Sequence, residues 1–466
     1  MALPGPSVSG STVVFHSKGA SMPNLDRRAF LSTAGLAGAS LALAACSGGS
    51  DSPSSTTGTG SPTTTAKLSG TVTHTTWGSD QEVAAFKKIA ADFTAARGAD
   101  VKIEVLPYDQ IRTVVDRRLQ ANQAPDLFRV SYTDVTGYAQ NGALADLSAY
   151  MGGDYGKAFF PALWNSVTLD GAPFGVPHHT DTSALVYNKA HFAKAGITSV
   201  PDSLDNAWTW DEFVAVLVKL KAANAGVSPF AFNYQLYGAY RWFNTLYQAG
   251  GTVLDDAQKQ VTLNTDAAKK ALTWTQSLYT KGLHAPSILV KRPTYPDEVF
   301  PTQKISMIQA GDFLIPSLDA AIGKKFEWGV TYLPRDTAAA TDLGGNAVVV
   351  TDQSKNKDAA AEFAKFLASK EQMQYFCEQT TVLPVRIDLA DAKLAYVTRP
   401  DLMQAFQKQA TTMPASLVKT STLPAFPGIN QALVDNMDQF LSNPSATVDS
   451  VIGGLTSAIE KALKGA

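Results

Sequence analysis

The stretch "TVTHTTWGSDQEVAAFKKIAADFTAARGADVKIEVLP", Thr71 to Pro107, decides the fold class. Its β-branched opening runs to Trp77 as a strand would. Ser79-Asp80-Gln81-Glu82 then has the form of a capping box, in which hydroxyl and carboxylate each satisfy an orphan N–H at a helix start. Apolar positions at Val83, Phe86, Ala90 and Phe93 carry that helix forward until Gly98 closes it. "VKIEVLP" reverts to period-two spacing at Val101, Ile103 and Val105, the pattern of a half-buried or edge strand. A helix through Leu119 and a strand in "PDLFRVS" continue the alternation, which predicts βαβ units and a largely parallel sheet. Ligands of such sheets sit beyond the carboxyl ends of the strands. Residues 77–80 and 131–134 are therefore expected at one cleft.

Upstream, "LDRRAFLSTAGLAGASLALAACSGGS" (Leu25 to Ser50) is not part of the fold. The uncharged run Ala29 to Ala45 has 17 residues, mostly small ones, whereas about 20 strongly apolar residues are needed to cross ~30 Å of hydrocarbon. A positive start, an apolar middle and a small-residue end fit an export signal. Arg27-Arg28 resembles the twin-arginine type, and Leu43-Ala44-Ala45-Cys46 resembles a lipobox, in which the chain is cut before a cysteine that carries lipid. Met22 is a plausible alternative start. Residues 47–65 contain only Ser, Thr, Gly, Pro and Asp, a composition that cannot bury a core.

From Cys46 onward the chain counts 421 residues, enough for two or three domain-sized units. Net charge is −2 for the full chain, which argues against a nucleic-acid footprint. With Cys46 lipidated, Cys377 has no disulfide partner, so packing alone must hold the fold. Downstream, Thr209-Trp210-Asp211-Glu212 forms a second capping box, with Gly226 as the stop of its helix. Thr265 caps another helix, strands are expected in "FEWGVTYLP" and "NAVVV", and helices begin near Asn356 and Ser450.

Standard catalytic signatures are missing, including the Gly-x-Ser-x-Gly elbow, His-Glu-x-x-His, the phosphate loop and Cys-x-x-Cys. His178-His179-Thr180-Asp181 is the nearest thing to a metal cluster, but adjacent strand residues point to opposite faces; one histidine is expected to face a cleft and the other to pack. Neither a metal nor a cofactor is expected. Between Phe230 and Tyr247 lie eight aromatic residues, among them Tyr234, Tyr237, Tyr240 and Trp242. Aromatic faces cover the C–H surfaces of sugars and carboxylates accept their hydroxyls, so at least one of these rings is expected in a pocket while most serve the core.

Asp170-Gly171-Ala172-Pro173-Phe174-Gly175-Val176-Pro177, Tyr187-Asn188-Lys189 before "AHFAKAGI", and Thr209-Trp210-Asp211-Glu212-Phe213 resemble the bacterial extracellular solute-binding proteins of family 1, the maltose-binding type that serves ABC importers. "YAQNGALADL", "WGVTYLP", "LGGNAVVV" and "NKDAAAEFAKFL" follow in family order. The resemblance implies an α/β, periplasmic-binding-protein-like (type II) fold: two lobes, a hinge and an interlobe ligand cleft. Crossings between lobes are implied near residues 177–182, 333–336 and 378–386. The implied organisation is a signal over 1–46, a linker over 47–70, lobe 1 over 71–179 and 335–380, lobe 2 over 180–334, and a hinge return with lobe 2 helices over 381–466.

For the site, the resemblance implies ligand contacts from Trp77, Ser79 and Asp80; from Tyr132, Thr133 and Asp134; and from Asp181 with His179 and Thr180 beside it. Asp80 could equally serve as a helix-dipole partner. Gly311, Asp312 and Phe313 match a motif whose last position is a sugar-stacking Trp, here replaced by Phe. Gly345 and Asn346 match a Gly-rich turn, Arg386 is either a ligand contact or a carboxylate partner, and Tyr234 and Trp242 are the rings expected in the pocket. The implied function is a lipid-anchored, monomeric receptor that captures a mono-, di- or short oligosaccharide outside the cytoplasm and delivers it to a membrane permease. A non-sugar solute such as a glycerophosphodiester is the rival ligand, and a glycan-active enzyme using Asp80, Asp134 or Asp181 the rival class.

Overall fold

The computed structural model describes residues 67–465. The export signal, Cys46 and most of the expected linker lie outside the described residues. Strand β1 (Thr71–Thr76) leads through the Ser79 cap into helix α1 (Asp80–Arg97), and both halves of the capping box form. Gly98 ends the helix at φ 96°, a left-handed conformation that glycine adopts without penalty. Strand β2 (Asp100–Val105), helix α2 (Tyr108–Gln120), strand β3 (Leu127–Ser131) and helix α3 (Tyr132–Gln140) continue the alternation. β4 (Thr168–Leu169) and β5 (Ala172–Pro173) form a small hairpin, after which β6 (Val176–His179) rejoins the first sheet.

That sheet has the order β2-β1-β3 and then a later strand, β11 (Asn346–Val350), between β3 and β6. β1 runs parallel to both β2 and β3, and β11 is antiparallel to its two neighbours. β2 is an edge strand with every residue at least partly exposed, as its alternating pattern implies. α1 buries Phe86, Ile89 and Phe93 against this layer. Phe86 meets Phe376 at 4.7 Å and Phe93 meets Phe363 at 5.2 Å between ring centroids. Each fully buried ring contributes about 1.5–3 kcal/mol.

The second sheet has the order β10 (Trp328–Thr331), β7 (Ser183–Asn188), β9 (Ile305–Gly311) and β8 (Ser228–Ala231). The expectation of a largely parallel sheet rests on residues 71–131; there it holds for β2-β1-β3 and fails at β11, which is antiparallel to β3 and β6. In this second sheet only β8 and β9 are parallel. The chain enters this lobe from the other one instead of through a βα crossover, and helical rules on strand direction do not apply at that entry. β7 and β9 are buried along their whole length because helices cover both faces. Phe213, Leu217 and Leu220 of helix Trp210–Ala223 belong to one hydrophobic cluster, and Ile315, Leu318, Met403 and Phe406 to another.

The two sheets are joined where chain segments pass between them. Thr180 and Leu383 exchange backbone hydrogen bonds at 2.8 Å in both directions, pairing two of the passing segments. The segment before β11 departs from the sequence reading. Arg335 bonds to the backbone of Trp208 and Trp210, Ala338 to Gln248, and Thr341 to Thr182. Residues 335–342 thus stay with the second lobe, and the chain passes over at residues 343–346. The C-terminal region touches more than the second lobe: helix Phe426–Ser442 packs against α3, and Thr136 of α3 donates at 2.7 Å to the carbonyl of Thr422, just before that helix.

Candidate functional site

Between the lobes lies a cavity of about 700 Å³. The first lobe supplies Trp77, Gly78 and Ser79 after β1, Leu106 to Tyr108 after β2, Arg129 and Ser131 on β3, and Thr133. The second lobe supplies Asn233, Gln235, Tyr237, Tyr240 and Arg241, then Tyr295, Asp297 and Glu298, then Phe313 and Ser317. Asp181 and the turn Leu343 to Asn346 form the wall nearest the passing segments.

Arg129 organises the first-lobe wall. It is 3% exposed and its Nη1 lies 2.8 Å from Glu82 Oε1 and 2.9 Å from the Trp77 carbonyl. Its guanidinium carbon sits 4.4 Å from the Trp77 ring centroid, a cation–π contact that fixes the indole. Glu82 in turn caps α1 through Ser79. Arg129 Nη2 and Asn346 Nδ2 both lie 3.1 Å from His179 Nε2. Two donors on Nε2 make it the acceptor, so His179 carries its proton on Nδ1 and donates to His178 Nδ1 at 3.0 Å. Burial, then the charge of Arg129, holds both imidazoles well below their ordinary range, and both are neutral.

On the other wall, Asn430 fixes the backbone of the aromatic segment: its Oδ1 accepts from Tyr240 N at 2.9 Å and its Nδ2 donates to Tyr237 O at 3.1 Å. Tyr237 meets Tyr108 of the first lobe edge-on at 6.0 Å, and Tyr108 lies 5.5 Å from Trp77, so rings step across the cleft. Arg241 Nε lies 3.5 Å from Asp342 Oδ2, and Asn244 donates to the other oxygen of Asp342 at 2.7 Å. Asp181 is 7% exposed. Its carboxyl is pushed up to about 6, chiefly by burial, against the pull of Arg241 and with Asp342 adding to the rise. Burial and then the Asp181 charge push Asp312 well above the carboxylate range.

Of the residues expected at the site, Trp77, Ser79, Thr133, Asp181, Phe313, Gly345 and Asn346 line the cavity. The others do not. Asp80 is exposed in the first turn of α1, in the dipole position. Tyr132 is 1% exposed in the core. Asp134 pairs with Arg112 at 3.3 Å beside an apolar side pocket. His179 lies behind Arg129, and Thr180 is turned to the Gly344 carbonyl at 3.0 Å. Tyr234 stacks on Phe232 at 4.5 Å, and Trp242 is fully buried and donates to Thr275 at 3.2 Å. Gly311 has a spatial role, because a Cβ there would lie 2.1 Å from the Phe313 ring. Asp312 is wholly buried behind that ring. Arg386 grips Asp388 through two bonds of 2.9 Å, the carboxylate-partner alternative.

The two histidines also correct the strand argument. A register shift between Asn346 and Ala347 lets both rings turn inward together, with centroids 5.0 Å apart. Neither lines the cavity. Among the described residues no group of three or more His, Cys, Asp or Glu side chains is placed to hold a metal ion. Sequence reasoning missed Tyr108, Asn233, Gln235, Tyr295 and Asp297, and it chose Tyr234 and Trp242 over Tyr237 and Tyr240. Periodicity carries no signal for those positions: Tyr108 opens α2, Tyr237 and Tyr240 lie on a short 3-10 helix, Asp297 on a one-turn helix, and Asn233, Gln235 and Tyr295 outside helices and strands.

Two mixed α/β lobes, passing segments paired to each other, and one large cavity between the lobes define a hinged receptor of the type II binding-protein-like fold. The family model described as bacterial extracellular solute-binding protein matches residues 77–374, and the chain belongs to that family. The diacetylchitobiose-binding protein DasA of Streptomyces coelicolor is 28% identical over 370 residues, covering 77% of this chain and 82% of that one. The maltodextrin-binding protein MdxE of Bacillus subtilis is 24% identical over 316 residues, 67% of this chain and 70% of its own. Among solved structures, the GacH receptor of Streptomyces glaucescens, determined unliganded and with acarbose, superposes with a TM-score of 0.73 at 22% identity, covering 85% of this chain and 99% of that one. Among the described residues no helix is long and apolar enough to cross a membrane.

Proposed function

We propose that this protein is the substrate-binding component of an ABC importer, that it binds a mono-, di- or short oligosaccharide in the interlobe cavity, and that it hands the sugar unchanged to a membrane permease. The observation that carries the reading is the lining itself. Rings of Trp77, Tyr108, Tyr237, Tyr240, Tyr295 and Phe313 alternate with Asp181, Asn233, Gln235 and Asn346, a mixture suited to a polyhydroxylated ligand. The sugars named for DasA and MdxE support the same class. Lobe closure follows if the ligand binds the closed arrangement more tightly than the open one, since equal affinity shifts nothing. In this reading Cys46 carries the lipid that tethers a monomer to the outer face of the cell membrane after twin-arginine export.

The rival readings lack support in the cavity. An enzyme would need two carboxylates flanking a glycosidic bond. Of the three weighed for that role only Asp181 lines the cavity, Asp80 and Asp134 do not, and recovery of the sugar intact tests whether Asp297 or Glu298, which also line it, act with Asp181. A phosphodiester would need free guanidinium groups, yet Arg241 is matched with Asp342 and Arg386 with Asp388. Isothermal titration calorimetry of the purified protein against a panel containing diacetylchitobiose, maltotriose, lactose and simple monosaccharides tests the proposal. Binding of a sugar that is recovered intact after prolonged incubation is expected. Binding of another solute class with no response to any sugar would sink it. Cys46→Ser is expected to release the protein from membranes, read by fractionation.

A further inference from the structure

Charge around the cavity is unevenly matched. Three guanidinium groups flank it, and each already has its own carboxylate: Arg129 with Glu82 at 2.8 Å, Arg112 with Asp134 at 3.3 Å, and Arg241 with Asp342 at 3.5 Å. Three more lining carboxylates, Asp181, Asp297 and Glu298, form no ion pair among the described residues. Glu298 is partly satisfied by the Tyr295 N–H at 3.1 Å. Asp181 is more than nine-tenths buried, faces the cavity, and makes no hydrogen bond among the described residues. A carboxylate taken out of water without a partner is costly, and a ligand that brings the missing cation relieves that cost.

The surroundings favour the same kind of ligand. The rings of Tyr237, Tyr240 and Tyr295 line the cavity. Arg112 already lies over Tyr237 at 5.6 Å and Arg241 over Tyr240 at 5.2 Å, which leaves Tyr295, among the described residues, as the ring without a cation over it to attract one through its quadrupole. A neutral sugar would fit the hydroxyl acceptors but leave Asp181 with no counter-charge of its own beyond the pull of Arg241, which Asp342 already pairs, and an anionic one would add to the surplus. We infer that the cavity is built for a carbohydrate bearing a protonated amine, an amino sugar, with its ammonium group seated against Asp181 and within the field of Asp297 and Glu298. This rests on the sugar-receptor reading and names the ligand class within it.

The test uses pairs that differ only by hydroxyl against ammonium: glucose and glucosamine, galactose and galactosamine, cellobiose and β-1,4-linked diglucosamine. Each amine is also measured in its N-acetylated, neutral form. Calorimetry at pH 7 is expected to find the ammonium member of at least one pair bound tenfold or more tightly than both neutral forms, equivalent to about 1.4 kcal/mol. Asp181→Asn is expected to bring that ratio close to one, and Asp297→Asn to lower it by a smaller factor. The ratio is read within each variant, so a general loss of affinity does not mimic the effect. Should a variant fail to fold, the comparison of ammonium and N-acetylated ligands on the unaltered protein still decides the matter. Neutral sugars that bind as tightly as their amines, or more tightly, overturn the amino-sugar assignment and leave the receptor reading standing. Failure of every carbohydrate, charged or neutral, overturns both.

Discussion

Replacing Arg129 by Met removes the side chain on which the first-lobe wall depends. The substitution keeps most of the volume but leaves the Glu82 carboxylate, whose side chain is 9% exposed, without its counter-charge. It also takes a donor from the Trp77 carbonyl and one from His179. Breaking a buried pair from one side costs about 3–5 kcal/mol, because the surviving charge stays desolvated. Urea unfolding of the two proteins measures it as a fall in midpoint at unchanged slope. Adding Glu82→Gln to Arg129→Met should restore part of the loss, because the amide oxygen still accepts the Ser79 N–H while the orphan charge is gone. A coupling of 1–3 kcal/mol between the two sites is expected. An Arg129→Met protein that loses less than about 1 kcal/mol, or a double variant whose loss equals the sum of the single ones, would refute the account of this network.

Gly345 has φ +101° and a Cβ there would lie 2.4 Å from the His179 carbonyl, whereas Gly171 has φ +85° with nothing within 4 Å. Gly345→Ala should therefore cost clearly more than the ~1–2 kcal/mol of conformational strain that Gly171→Ala incurs, and equal losses in urea would remove the steric argument. Trp242→Ala should lower stability by about 3–5 kcal/mol, while Tyr237→Ala should leave the urea midpoint nearly unmoved and weaken sugar binding at least tenfold, roughly 1.4 kcal/mol. The Asp181 carboxyl titrates higher in the folded chain than its unfolded value of 3.8, at about 6. The folded form therefore holds the extra proton between those values, and this residue's contribution to stability rises as the pH falls through 6 toward 4. Stability of Asp181→Asn should exceed that of the unaltered protein most at pH 7.5 and the gap should close by pH 4, as followed by thermal melts; a gap independent of pH would contradict the assignment.

Much of the fold is legible in the chain because local signals agree with the final arrangement. The hydroxyl and carboxylate of Ser79 and Glu82, and of Thr209 and Glu212, mark helix starts that form as capping boxes. Strand carboxyl ends placed Trp77, Ser79 and Thr133 at the cavity because a βα turn points its first residues there. The remainder depends on contacts between distant segments. Tyr237 and Tyr240, not Tyr234 and Trp242, reach the cleft because Asn430, 190 residues further on in the case of its bond to Tyr240, sets the backbone of that turn. Leu333-Pro334 reads as the end of a strand, yet Arg335 goes on bonding to Trp208 and Trp210, which delays the passage to the first lobe. The histidine pair misleads alternation because one bulge turns both rings to the same side.

The ladder of rings from Trp77 through Tyr108 to Tyr237 lines the cavity, and its last rung joins one lobe to the other. Any opening of the lobes has to part Tyr108 from Tyr237 and let water reach the exposed edge of the indole stack. The molecule thus contains its own optical gauge: the emission of Trp77, one of seven tryptophans and isolated by difference from a Trp77→Phe variant, should shift to the red as the lobes separate and to the blue as they close, which lets lobe motion be timed in stopped flow without attaching a dye.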